Sequence, residues 1–174
     1  MVSNFKKEQI PNRESLTAKC LEHLDRWEKQ PFYEHDELFD STSSKNRVLV
    51  NNTARVLHLN GQIKEASCVR DTPGVYSFHQ DGRVMYVGLS RGMLKRSKAH
   101  WFGSKKQVTS LIEIVRKYPE SRPYNENGDW DTAQELVRSW KVKFLPISSS
   151  HERYLTEILL SVETRSFYNS FESH

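Results

Sequence analysis

The chain is poor in cysteine, has no long apolar run, and over one central stretch has no acidic residue at all. Its only cysteines are Cys20 and Cys68. Two cannot make a disulfide framework or a four-thiolate zinc site, and each, among apolar or small neighbours, reads as a buried free thiol in a reducing compartment. No segment approaches membrane-spanning length, and the opening MVSNFKKEQIPNRES lacks a signal peptide's apolar stretch. A cytoplasmic protein without a membrane partner is therefore expected. His58, His79 and His151 share no metal-ligand spacing, and no internal repeat is found. Between residues 82 and 112 there is no Asp or Glu, yet Arg83, Arg91, Lys95, Arg96, Lys98, Lys105 and Lys106 all fall there. That local excess says more than the net charge of +4. It suits a polyanion such as nucleic acid; a solvated basic face without a ligand is the competing reading.

The 174 residues, 36% hydrophobic and 28% charged, suit one globular domain with an extension, large enough to bury a core. Leu16, Cys20, Leu24 and Trp27 recur at helical spacing over 13–29. The serine-punctuated stretch 36–45 reads as a loop, and 47–50 with 55–59 as a hairpin, with helix the alternative. Polar residues around Arg70 to Pro73 mark a boundary, giving an extension over 1–71 and a second unit over 72–174. In that unit Ser90 caps an expected helix over 91–102, and a second helix over 105–117 carries Val108, Leu111, Ile112 and Val115. A loop over 118–131 holds Asp129 and Asp131, which could bind a cation only incidentally. A short helix over 132–139 precedes a strand over 141–147, which Pro146 places at a sheet edge. Ser149 and Glu152 spell a capping box for a helix over 150–164, with Leu155, Ile158, Leu159 and Val162 as its expected buried stripe and Glu157 beside it.

Two matching phrases, Gly74-Val75-Tyr76 and Tyr86-Val87-Gly88, flank Asp81-Gly82. A two-residue Asp81-Gly82 turn would put the tyrosines on opposite faces of the hairpin. A three-residue Gln80-Asp81-Gly82 loop with a bulge would set Tyr76 across from Tyr86, and that loop is the one expected. Arg96 and His100 follow, one helical turn apart, and Glu157 comes from a distant helix. Phenol, guanidinium, imidazole and carboxylate are what metal-assisted phosphodiester cleavage requires. A tyrosine of ordinary pKa near 10 is a poor base, but Arg96 or a protonated His100 beside it would lower that value. A lone carboxylate can hold one Mg²⁺ if waters and phosphate complete the shell.

These blocks, with Leu94-Lys95-Arg96, His100, Glu157 and a closing Tyr168-Asn169, resemble the GIY-YIG nuclease family over residues 72–171. The resemblance implies an α/β (α+β) fold in which helices flank a small antiparallel or mixed sheet of about three strands; the residues before it read by their own spacing as a largely helical N-terminal extension. It implies a metal-dependent endonuclease acting on DNA, with one Mg²⁺ or Mn²⁺ per site on Glu157. Carried over, Tyr76 and Tyr86 become the base and a phosphate-positioning phenol, with Tyr76 the favoured base. Arg96 would steady the phosphate and His100 would assist. Gly74, Gly88 and Asn169 would support the site, and Arg83, Arg91, Lys95, Lys98, Lys105 and Lys106 would meet DNA. Length and the extension are similar to small restriction endonucleases of the family, and the extension could join two copies as a homodimer that cuts both strands. Alternatives are a DNA-binding module that has lost turnover and a structure-specific repair or mobile-element nuclease. Two departures stand out: Leu89 occupies the place of a frequent lysine, and Ser166-Phe167 replaces the proline before Tyr-Asn. Base-reading candidates are Arg122, Asn125, Asn127 and the Lys45-Asn46-Arg47 loop.

Overall fold

The computed structural model describes residues 11–39, 57, 72–103, 110–118 and 128–169. Helix α1 (Arg13–Glu28) opens on Asn12, whose side chain accepts from the Ser15 amide at 2.9 Å, and buries Cys20, His23 and Leu24. The expected loop over 36–45 is corrected at its start. Residues His35–Leu38 form a one-turn helix, α2, fixed by a reciprocal capping box between Glu34 and Glu37. Of the expected hairpin over 47–59 only Leu57 is described; it is helical and fully buried.

The fold is α+β. Strands β1 (Gly74–Gln80), β2 (Arg83–Ser90) and β3 (Lys141–Pro146) form one antiparallel sheet in the order β2-β1-β3. Helices α3 (Met93–Phe102), α4 (Ser110–Lys117), α5 (Trp130–Arg138) and α6 (Ser150–Glu163) complete the described elements. Alternation along the strands gives the sheet two apolar faces. Tyr76, Phe78, Val142 and Phe144 pack with Trp101, Leu111, Ile112, Trp130 and Val137 from α3, α4 and α5. Val75, Val87 and Leu145 pack on the other side with Leu24 of α1 and Leu160 of α6. Tyr33, Leu38, Phe39 and Leu57 join the first cluster, and Tyr33 exchanges two backbone hydrogen bonds with Val142 on the outer edge of β3. Lys143, although charged, is buried: Nζ donates to the Glu28 carbonyl at the end of α1 and lies over the Trp27 and Phe32 rings.

Several boundaries move for local reasons. Helix α3 starts at Met93, because the Ser90 hydroxyl bonds Gly92 instead of capping the helix. Helix α5 starts at Trp130, because Asp129 is its N-cap, accepting from the Thr132 amide and hydroxyl. Asp129 thus holds a helix end. Ser149 caps α6, but the Glu152 side chain turns to His23 and Lys19 of α1 and leaves the box half made. The expected stripe of α6 is also rotated. Arg153, Thr156, Leu160 and Ser161 are buried, while Ile158 and Val162 are exposed.

Candidate active site

The hairpin that carries the two tyrosines turns in two residues, not three. Gln80 pairs with Arg83, and both Asp81 (φ 49°) and Gly82 (φ 79°) are left-handed, the pattern of a type I′ turn. The expected three-residue loop is therefore incorrect, yet the phenols still converge. His79 pairs with Val84 but Phe78 pairs with Tyr86, so Met85 is an extra residue in β2. This bulge reverses the alternation beyond it. Tyr76 faces Gly88, Tyr86 sits diagonally beside it, and the two ring centroids are 6.3 Å apart. The turn sets one parity and the bulge the other.

Gly88 supplies the room. A Cβ there would lie 2.5 Å from the Tyr76 hydroxyl and 2.9 Å from Tyr86 Cε1. At the start of β1, a Cβ on Gly74 would strike the Leu145 carbonyl and the Met93 sulfur. From α3, fully buried His100 places Nε2 2.9 Å from the Tyr76 hydroxyl, while its Nδ1 is buried without a hydrogen-bond partner. His100 also packs edge-on to Tyr86 and Phe78. Arg96, one turn earlier and half-buried, acts on both phenols by its charge. Glu157 reaches the β2 edge from α6, where Oε1 accepts from the Leu89 amide at 3.0 Å, and its charge also bears on both phenols. Asn169 braces the same edge. Its Oδ1 accepts from the Val87 amide at 2.7 Å, and its Nδ2 donates to the Val87 carbonyl at 2.8 Å.

The electrostatics correct one expectation. Burial holds the Tyr76 phenol well above its ordinary value, the neighbouring Tyr86 adds to this, and Arg96 only partly opposes it. Tyr86 is raised as well, by burial and then by Glu157. His100 is lowered to about 3 by burial and by Arg96, so it is a neutral imidazole and contributes no charge to the phenols. Desolvation raises Glu157 against the Leu89 hydrogen bond.

The five predicted site residues thus meet at one end of the β1–β2 ladder. Of the predicted DNA contacts, Arg83, Arg91 and Lys95 are exposed and Lys98 is half-buried; Arg83 lies over the Phe167 ring. Lys105, Lys106, Arg122, Asn125, Asn127 and the 45–47 loop lie outside the described residues. Two contributors were not foreseen: the Leu89 amide, which a side-chain reading cannot find, and Ser166, whose hydroxyl donates to Asn169 Oδ1 at 2.8 Å. The Met85 bulge had a signal. Asp-Gly favours a two-residue turn, and two phenols on one face then require one extra residue.

Among the described residues no three His, Cys, Asp or Glu side chains gather as a metal site. With both phenols held in their protonated form, Glu157 is the hard oxygen donor of this group. It fits a Mg²⁺ or Mn²⁺ ion that keeps water and phosphate as most of its ligands, not a caged ion. Among the described residues no helix is long and apolar enough to cross a membrane. Compared with protein-family models, curated proteins and solved structures, the chain finds no match.

Proposed function

We propose that the chain is a metal-assisted DNA endonuclease of the GIY-YIG type. The observation that carries this reading is the meeting of Tyr76, Tyr86, Arg96, His100 and Glu157, from two strands and two helices, at the Gly88 end of the β1–β2 ladder. Water attacks the phosphorus, the new P–O bond forms, and the bond to the leaving oxygen breaks. Neither phenol is ionised at neutral pH, so Tyr76 orients the attacking water through its hydroxyl and is not a preformed phenolate. His100, kept neutral by burial and by Arg96, holds that hydroxyl at 2.9 Å, and the water's proton passes to solvent as the new bond forms. Arg96 balances the charge that develops on the phosphate. A divalent ion held by Glu157 would supply Lewis-acid stabilisation of that charge and of the leaving oxygen. Exposed Arg83, Arg91 and Lys95 provide the approach for a polyanion.

Plasmid nicking with Mg²⁺, against an EDTA control, tests the reading; Glu157→Gln must abolish the nick. One such centre breaks one strand at a time, so cutting both strands in a single event would take two copies. The second reading, a DNA-binding module without turnover, draws on Leu89 in the position of a frequent lysine, which leaves one cation fewer at the β2 edge. Binding to a DNA duplex with no nick at any Mg²⁺ or Mn²⁺ concentration would select it.

A further inference from the structure

On the sheet face opposite Tyr76, a pocket of about 510 Å³ opens at the hairpin tip, lined by Phe32, His79, Gln80, Asp81, Ser139 and Lys141. Its volume lies within the range of about 300–1,000 Å³ usual for ligand sites. The residues are set by structure already described: His79 and Lys141 are cross-strand partners, and the left-handed Asp81 projects from the type I′ turn. Phe32 is held on its inner side. Its ring centroid is 4.9 Å from that of His79, edge-on, and 4.6 Å from the Lys143 ammonium. His79 is in turn fixed by the Ser77 hydroxyl at 2.8 Å and by stacking on Trp27. Even so, Phe32 is 48% exposed. A ring immobilised from behind and open to solvent is a stacking platform, because little conformational freedom is left to lose on binding.

The rim carries one charge of each sign. Lys141 pairs with Glu34 at 3.0 Å, but both side chains are about half exposed, and such a pair yields readily to a stronger anion. Asp81 is exposed at the turn and offers acceptor oxygens. An aromatic plate between an ammonium and a carboxylate complements a planar heterocycle that bears amino groups and a nearby phosphate. We infer that this pocket takes one unstacked nucleobase with its phosphate, the ring on Phe32, the phosphate on Lys141 and an exocyclic amino group on Asp81. The site lies across the sheet from the phenols and does not depend on the cleavage reading. It would let the protein hold a displaced or single-stranded nucleotide away from any cutting centre.

Titration of the full chain with deoxyadenosine monophosphate, followed by amide NMR shifts, tests the inference. Saturable shifts are expected at Phe32, Asp81, Gly82 and Lys141. Phe32→Ala should weaken binding about fivefold or more, the loss of one base-on-ring stack, while Phe32→Tyr, which keeps a ring, should retain it. Lys141→Gln should weaken the nucleotide but not deoxyadenosine. Inorganic phosphate producing the same shifts, or no saturable shift at these residues, overturns the proposal. A protein that nicks DNA but shows no such shifts overturns the pocket alone, whereas a protein that binds the nucleotide without nicking leaves the pocket standing.

Discussion

The Tyr76 hydroxyl fills the space that a side chain at Gly88 would occupy: the two residues pair across β1 and β2, and a Cβ would come within 2.5 Å of the phenol oxygen. Gly88→Ala must therefore push the Tyr76 ring away from His100. Overpacking of this kind costs about 1–3 kcal/mol. A lower thermal midpoint together with lost nicking is expected; an alanine variant that melts and nicks like the parent would show that the phenol does not need its place.

Glu157→Gln keeps an acceptor for the Leu89 amide while removing the charge. Because burial raises the carboxyl, the folded state binds its proton more tightly than the unfolded state does, and stability declines as pH rises through the unfolded value towards the folded one. At neutral pH the neutral variant should melt at the parent's temperature or above it, with nicking gone and duplex binding retained. Calorimetry paired with a nicking assay reads both outcomes.

Asn169→Ala leaves the buried Val87 amide and carbonyl without the partners they have at 2.7 and 2.8 Å. The expected loss is about 2–3 kcal/mol in denaturant unfolding. Asn169→Asp keeps the acceptor and loses the donor, so it should fall between. Since Tyr86 is the neighbour of Val87, cleavage should drop with the brace; equal stability in all three proteins would contradict it.

Acid should unfold the protein through its buried histidines. His100 is lowered to about 3 and His79 to about 4, each by burial first, with Arg96 and Lys143 respectively adding to it. Both are neutral in the fold, while the unfolded chain takes up protons below about 6.5. Their contribution is complete above that pH and is lost as pH falls towards 4 and then 3, at up to about 1.4 kcal/mol per unit for each group. His79→Gln should flatten the stability profile between pH 6 and 4. An unchanged slope in chemical unfolding across that window would remove His79 from the account.

Much of the architecture could be read along the chain because its signals are local. The Leu16–Cys20–Leu24–Trp27 spacing fixes α1, the alternation from Lys141 fixes β3, and Pro146 ends an edge strand as expected. Errors arose where a residue had two possible partners. Glu152 could complete a cap or reach α1, and it reached His23. Ile158 and Val162 fit a helical stripe, but α1 and the sheet cover α6 on the side of Thr156 and Leu160, leaving the apolar pair exposed.

The site divides in the same way. Residue types and order along the chain were enough to single out Tyr76, Tyr86, Arg96, His100 and Glu157 as a group through the family resemblance, and the fold brings the five together. Sequence could not set which way the phenols face, whether His100 carries charge, or what holds Glu157. A single extra residue at Met85 decides the first, since a strand's alternation has period two and one insertion reverses it. Burial decides the second, because desolvation depends on the packing around a group and not on its neighbours in sequence. The third rests on a backbone amide of β2 meeting a side chain of α6, a contact that exists only once the sheet edge and the helix have been brought together.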